Sequence, residues 1–223
     1  MNNQQNRKET LHNLVFGQTI PEEIANSITH GIGALLSIAA IVLLVVTSSG
    51  SGSPIKIFSF SVFGTTLFFL FISSTLLHSL RHHKAKAIFL KFDHIAIFYL
   101  IAGTYTPLML VSIGGKLGWI MFIVVWSIAL AGTLVKIFML SASADKISVA
   151  IYLAMGWMAV LFIKVIVEKL PLPGMILLFT GGILYTVGTA FFITKKVPFS
   201  HGIWHLFVLA AAICHFFCVY LYV

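Results

Sequence analysis

Two histidines near the start of the last apolar block, His201 and His205, are spaced four residues apart. On an α-helix this spacing stacks both imidazoles on one face, about 6 Å apart, close enough to share one metal ion. Ser74 and His78 repeat the spacing at the end of an earlier apolar block, so His78 could supply a third nitrogen. Three histidines with an open fourth position are typical of a catalytic zinc site. The pattern therefore predicts a Zn²⁺ site with His78, His201 and His205 as ligands.

Other polar residues lie close to this predicted site in the sequence. Asp93 follows His78 after one short hairpin, and it could hydrogen-bond and orient a water molecule at the metal. Ser74 could do likewise. His94 is turned about 100° from Asp93 on a helix, so we interpret it as bordering the site or structural, not as a ligand. His215 lies about 15 Å beyond His205 along a helix and cannot bind the same ion.

A third group of polar residues opens the first apolar block. Glu23, Asn26 and His30 are spaced i, i+3, i+7, so on a helix they face one direction. Two interpretations fit this stripe equally well. It caps the first helix, or it borders the predicted metal site.

The composition indicates that these residues belong to a membrane protein. Of the 223 residues, 59% are hydrophobic and only 9% are charged, and the mean hydropathy is +1.04. A soluble domain needs about a quarter of its residues charged, so an ordinary cytoplasmic globule is excluded. The apolar blocks recur along the whole chain, which excludes a soluble protein behind a cleaved signal peptide. The net charge of +8 is interpreted as a topology signal, and we expect no nucleic acid partner.

The apolar blocks predict an all-α integral membrane protein, a seven-transmembrane helix bundle. Each block is close to the roughly 20 residues that a spanning helix needs. Residues 1–26 are interpreted as a polar N-terminal arm with a short interfacial segment at Leu11 to Ile20, and residues 27–223 as the transmembrane domain. The fifth block, which carries Lys164, has the weakest pattern. The blocks are Ile28 to Thr47, Ile57 to Leu80, Phe92 to Val111, Leu117 to Leu140, Ile147 to Val167, Gly174 to Thr194 and His201 to Val223.

Basic residues predict the orientation of the bundle. With the N-terminus inside, ten Lys and Arg residues fall on inner segments and four on outer ones, as the positive-inside rule requires. We therefore expect a cytoplasmic N-terminus, with all the polar clusters at the cytoplasmic ends of their helices. Lys136 and Lys164 are expected to extend to the nearer interface. The ten inner residues are Arg7, Lys8, Arg81, Lys84, Lys86, Lys91, Lys136, Lys146, Lys195 and Lys196.

Three ordered motifs on three different helices resemble those of a known family. They read E-x2-N-x3-H at Glu23, S-x3-H at Ser74 followed by Asp93, and H-x3-H at His201. Together they are similar to the motif set of the progestin and adipoQ receptor family, and within it to a bacterial hemolysin III type member. The stretches AGTYTP, at 102–107, and HGIWHLFVLAAAICH, at 201–215, are similar to that family as well.

The resemblance implies a seven-helix protein of the bacterial plasma membrane with its N-terminus inside and a zinc ion near the inner leaflet. By the same resemblance the ligands are His78, His201 and His205, Asp93 contacts a water molecule at the zinc, and Ser74 lies nearby. Eukaryotic adiponectin receptors of this family are linked to ceramide hydrolysis. The resemblance therefore implies a ceramidase-like amidohydrolase as one possible activity.

Three functions are compatible with these observations. The leading hypothesis is a zinc-dependent intramembrane hydrolase of a lipid amide or ester bond, with membrane lipids as partners and a lipid as substrate. In it Asp93 acts as the proton acceptor, and Ser74 orients Asp93 or stabilises the oxyanion. The second is a non-enzymatic membrane receptor or regulator with a structural zinc. The third is a hemolysin-type cytolysin or channel, which would need a continuous polar lining.

Overall fold

Every regular element of the described chain is a helix. The computed structural model describes residues 17–138, 142–194 and 197–223, with side chains left out at 142–146. Seven helical segments in these ranges are long and apolar enough to cross a membrane, which confirms the predicted all-α seven-helix membrane fold. The helices are α1 Ile20–Gly50, α2 Pro54–Ser79, α3 His83–Pro107, α4 Gly115–Phe138, α5 Ala142–Gly156, α6 Ile163–Lys169, α7 Leu172–Ile193 and α8 Ser200–Tyr222.

The first helix begins earlier than its apolar pattern indicates. The apolar block starts at Ile28, whereas α1 begins at Ile20, inside the stretch that the sequence assigns to the polar arm. The Glu22 carboxylate accepts a hydrogen bond from the Thr19 backbone N–H at 2.9 Å, and Pro21 lies in the first turn. Both features are favourable at a helix N-terminus. Most of the predicted interfacial segment, residues 11–16, lies outside the described residues.

Large apolar side chains fill the interior and also cover the outside of the bundle. Phe60, Phe63 and Phe98 are fully buried. Leu35, Ile123 and Leu161 are among many large aliphatic residues that point outward. An outer surface of this kind is stable in lipid rather than in water.

The fifth span is interrupted halfway. Between α5 and α6 the chain forms a 3₁₀ segment, Trp157–Phe162. The Tyr105 hydroxyl of α3 inserts there, donating to the Gly156 carbonyl at 2.8 Å and accepting from the Ala159 N–H at 2.8 Å. A side chain inserted between the carbonyl and N–H groups of a helix is a known cause of such breaks.

We expect Tyr105→Phe to destabilise the protein by about 1–3 kcal/mol. The substitution removes the partner of one buried carbonyl and one buried N–H group, and unpaired buried groups cost about this much. Thermal unfolding of the purified protein in detergent measures the effect. Tyr99→Phe, on the same helix where the ring packs against Trp126, is the matched control. An equal melting temperature for Tyr105→Phe and wild type would contradict the role given to this hydroxyl.

Two glycines of α7 allow α8 to approach closely. A Cβ atom at Gly181 would collide with the ring of His215, and one at Gly188 would collide with Phe207 and Trp204. Both glycines therefore lie where α7 contacts α8. The position of the His215 ring is therefore fixed by packing.

Four helix ends meet on one side of the bundle, which we call the site end. It contains the starts of α1, α3 and α8 and the end of α2. Only residues 80–82 separate α2 from α3, so His78 and the first turns of α3 are close in space. The start of α8 is tied to α1 by the Phe199 N–H, which donates to Glu22 Oε1 at 3.1 Å. Phe199 has a φ of 57°, a left-handed conformation that turns the chain into α8.

Candidate metal centre

The three histidines with ligand spacing in the sequence lie together at the site end. One ring nitrogen from each of His78, His201 and His205 lies within 4.8 Å of the other two. The ring centroids are 5.2 Å apart for His78 and His201, 5.1 Å for His78 and His205, and 4.6 Å for His201 and His205. Helices α2 and α8 therefore present a set of three imidazoles that could hold one metal ion.

The His78 ring is oriented by a carboxylate. Its Nδ1 lies 2.6 Å from Glu23 Oε2. Because a carboxylate oxygen accepts, Nδ1 carries the hydrogen, and Nε2 keeps its lone pair. Nε2 is buried and has no hydrogen-bond partner among the described residues. A histidine held in this way by a carboxylate is the usual arrangement behind a metal ligand.

The His205 ring is oriented in a similar way by α1. Its Nδ1 lies 3.3 Å from the Asn26 backbone carbonyl and 3.3 Å from the Thr29 hydroxyl. The carbonyl can only accept, so Nδ1 donates and Nε2 is again available as a ligand. His30 stacks on the His205 ring with centroids 3.5 Å apart and planes inclined by 10°. Both rings are almost fully buried.

The Glu23 carboxylate also binds a buried cation. Its second oxygen, Oε1, accepts from Lys86 Nζ at 2.5 Å. The Lys86 side chain is 6% exposed and the Glu23 side chain 16% exposed. Removing one member of a buried ion pair leaves an uncompensated charge, so the two residues hold each other in place. Helix α3 thus fixes, through Glu23, the orientation of His78 on α2.

Asp93 lies beside the triad but is not part of it. Its carboxyl group interacts electrostatically with His78 and with Lys136. It is buried, and it also interacts with the Ser74 hydroxyl. Asp93 is not a member of the three-histidine group. Its position suits a residue that acts on a water or substrate molecule beside the three histidines.

Lys136 does not extend to the membrane interface as the sequence predicts. It was predicted to extend to the membrane interface, but it is only 3% exposed and lies between helices. The reason is its attraction to the Asp93 carboxyl group, which a lysine at the interface could not provide. A buried carboxyl group and a buried ammonium group each lower the cost of burying the other.

The remaining predicted residues are placed at or near the same end. The Asn26 side-chain amide donates to Gln18 Oε1. The sequence left open whether the stripe of α1 caps the helix or borders the site. The structure places Glu23, the Asn26 backbone and His30 against the histidines. His94 is outside the triad, and its backbone carbonyl accepts from the Tyr152 hydroxyl at 2.8 Å.

A cavity adjoins the site and runs into the middle of the bundle. At the site end it is lined by Asp93, His30 and His205. Further in, its wall is formed mainly by apolar side chains of α3, α5, α7 and α8, among them Leu100, Leu108, Leu153, Leu178, Phe179 and Val208. From Asp93 to Leu108 the cavity follows α3 for about 22 Å, most of the roughly 30 Å hydrocarbon thickness of a membrane.

Known proteins resemble the chain over nearly its whole length. The family model described as "Haemolysin-III related" matches residues 18–216. The chain belongs to this family. Membership of the haemolysin-III related family and seven apolar helices together establish a multi-pass membrane protein.

Named relatives match most of the chain. It is 47% identical over 206 residues to Hemolysin-3 of Bacillus cereus, a match that covers 92% of the chain and 94% of that protein. It is 50% identical over 204 residues to the Hemolysin-3 homolog of Bacillus subtilis, covering 92% and 95%. The human monocyte to macrophage differentiation factor is 29% identical over 213 residues, covering 93% and 87%. No solved structure matches the chain significantly.

Two residues of this haemolysin-III related chain join the site without having been singled out in the sequence. Lys86 is one of the ten inner basic residues that predict the orientation, and Thr29 belongs to none of the predicted polar groups. A signal for Lys86 existed, because it lies seven residues before Asp93 and so shares a helix face with it. No such signal existed for Thr29, whose contact with His205 depends on how α1 packs against α8.

Proposed function

We propose that the three histidines bind zinc and that the protein is a zinc-dependent intramembrane hydrolase of a lipid amide or ester bond. The observation that supports this best is the orientation of two of the rings. His78 donates through Nδ1 to Glu23, and His205 donates through Nδ1 to a backbone carbonyl, which leaves both Nε2 atoms available for the ion. Zinc is favoured by imidazole ligands in a three-histidine set.

The number of ligands favours catalysis over a structural role. A structural zinc normally has four protein ligands, whereas a catalytic zinc has three and an open position. Asp93 interacts electrostatically with His78 but lies outside the three-histidine group. An ion held by the three histidines would keep a position for a reactant, and Asp93 is the neighbouring carboxylate that would act on it.

The residues around the ion have separate tasks in this proposal. Zinc supplies a Lewis acid that activates water and polarises the scissile carbonyl. Asp93 Oδ accepts a proton from the attacking water and returns it to the leaving amine or alcohol. Lys136 supplies a positive charge beside the Asp93 carboxyl group through the electrostatic contact described above. Ser74 Oγ orients Asp93 or donates to the developing oxyanion.

The cavity explains why the substrate would be a lipid. One end of the cavity meets Asp93 and His205, and its deeper wall is mainly apolar. An acyl chain in the deep part would place its carbonyl group at the site end, where water also reaches. We further propose that the site end faces the cytoplasm of a bacterial plasma membrane, because most Lys and Arg residues fall on that side.

We expect Glu23→Ala to weaken zinc binding by about 10- to 100-fold. Loss of the carboxylate frees the His78 ring to rotate and makes Nε2 a poorer ligand, and this is the usual effect of removing such a partner. Competition with a chromophoric chelator measures the affinity. Glu22→Ala is the matched control, because Glu22 bonds Thr19 and Phe199 and not a histidine. Equal zinc affinity in Glu23→Ala and wild type would remove Glu23 from the site.

Lipid hydrolysis by the purified protein tests the proposed function. Zinc-loaded protein in lipid nanodiscs is incubated with a set of N-acyl lipids and ester lipids, and free fatty acid is measured by mass spectrometry. We expect release that a chelator abolishes and added zinc restores. Zinc-loaded, folded protein that releases no fatty acid from any lipid of either class would favour a receptor or regulator with a structural ion.

A further inference from the structure

Two polar side chains lie deep in the cavity, far from the histidine triad. His215 follows His205 by ten residues on α8, about 15 Å along the helix axis. Tyr185 of α7 faces it, with the ring centroids 5.5 Å apart and the planes inclined by 54°. Both residues line the cavity. We call Tyr185 and His215 the inner polar pair.

Each member of the inner polar pair has one buried atom without a partner. The Tyr185 hydroxyl and His215 Nδ1 are both buried, and neither forms a hydrogen bond with the described residues. The His215 residue as a whole is 8% exposed. Buried polar atoms are nearly always paired with protein, water or ligand, so two unpaired atoms on neighbouring residues of the cavity wall indicate a bound water molecule or ligand group beside them.

The Leu178 backbone carbonyl determines which nitrogen of the His215 ring carries the hydrogen. His215 Nε2 lies 3.1 Å from the Leu178 backbone carbonyl, which can only accept. Nε2 therefore carries the hydrogen, and in the neutral ring Nδ1 offers a lone pair. The ring cannot turn away, because it packs against Gly181, where there is no room even for a Cβ atom. The pair thus offers one acceptor, His215 Nδ1, and one donor, the Tyr185 hydroxyl.

We propose that the inner polar pair binds a hydroxyl group on the hydrocarbon chain of the lipid. A hydroxyl satisfies both partners at once, because its oxygen accepts from Tyr185 and its hydrogen is donated to His215 Nδ1. A ketone oxygen accepts from Tyr185 but leaves Nδ1 unpaired, and an unsubstituted chain leaves both unpaired. The substrate class is therefore a lipid with a hydroxylated acyl chain.

The distance from the triad gives the position of the hydroxyl. An extended chain advances about 1.2 Å per bond, since three backbone bonds span about 3.6 Å. The separation of about 15 Å along α8 then corresponds to about 12 bonds from the carboxyl carbon. This position rests on the proposed function, which places the carboxyl carbon at the triad. The hydrogen-bonding preference of the pair does not depend on hydrolysis.

Competition binding with matched fatty acids tests the inference. The purified protein is equilibrated with a fluorescent fatty acid, and displacement is measured with octadecanoic acid and with hydroxyoctadecanoic acids that differ only in hydroxyl position. We expect the best mid-chain hydroxy acid to bind about tenfold more tightly than octadecanoic acid, the gain typical of two hydrogen bonds. The keto acid substituted at the same carbon should gain less.

Substitutions in the inner polar pair test whether this pair causes the preference for the hydroxy acid. Tyr185→Phe removes one oxygen atom, and we expect it to lower the preference to about threefold or less, while Tyr185→Phe combined with His215→Leu abolishes it. Thr104→Val is the matched control. Thr104 also lines the cavity, about 16 Å beyond Asp93, but its hydroxyl donates to the Leu100 carbonyl of its own helix at 2.8 Å. Its removal should leave the tenfold preference unchanged.

The outcomes separate this inference from the proposed function. Equal affinities of wild type for all the acids, no displacement by any acid, or a preference that survives the double substitution would overturn the hydroxyl site. Zinc content and lipid hydrolysis are measured on the same preparation and test the hydrolase. A hydroxyl preference without hydrolysis would therefore retain the binding site and reject the enzyme.

Discussion

Asp93→Asn is expected to retain zinc and to lower the rate of lipid hydrolysis by about 10²- to 10⁴-fold. The amide has nearly the same shape as the carboxyl group but cannot accept the proton of water, and loss of a general base costs a factor of this size. The three histidines are unchanged, and Asp93 is not one of their group. Fatty acid release by zinc-loaded protein measures the rate, and elemental analysis of the same sample measures the zinc.

Ser74→Ala is the comparison for this experiment. Ser74 interacts with the Asp93 carboxyl group but does not itself take the proton in this proposal. We therefore expect a smaller loss than in Asp93→Asn. Unchanged hydrolysis in Asp93→Asn would exclude Asp93 as the proton acceptor, whereas loss of zinc in that variant would make it a ligand.

His78→Ala and His205→Ala are each expected to abolish tight zinc binding. Two imidazoles and water molecules do not hold zinc as three imidazoles do, and the two substitutions remove ligands from different helices. Zinc per chain, measured after gel filtration in detergent, should fall from about one in wild type to nearly none in each variant.

His215→Ala is the matched control for the loss of zinc. It removes another buried histidine of α8, but one that lies about 15 Å from the triad. It should retain the zinc of wild type. Equal loss in all three variants would indicate that any buried histidine is needed for folding, and would contradict a site joining α2 and α8.

The sequence predicts the seven helices because each apolar block must bury its backbone polar groups in a helix when the solvent is lipid. It predicts helix boundaries less well where polar residues continue the helix. At the start of α1 the determinant is local capping by Thr19, Pro21 and Glu22, which an apolar pattern does not detect. The break in the fifth span depends on Tyr105, a residue of another helix, and no local pattern indicates it.

The candidate site is likewise predicted only in part by the sequence. The grouping of His78 with His201 and His205 follows from helix periodicity and from the alternating direction of the spans, and the structure brings them together. The contacts that orient the rings could not be derived in this way. Glu23 and Lys86 lie 63 residues apart, and their pairing requires the packing of α1 against α2 and α3.

The most direct test of the central claim is the zinc X-ray absorption spectrum of wild-type protein purified without added metal. We expect a zinc signal with about three nitrogen ligands and one oxygen ligand at about 2.0–2.1 Å. The nitrogen contribution should come from imidazole. Folded protein with no zinc signal, or a spectrum dominated by sulfur at about 2.3 Å, would contradict a three-histidine site with an open position.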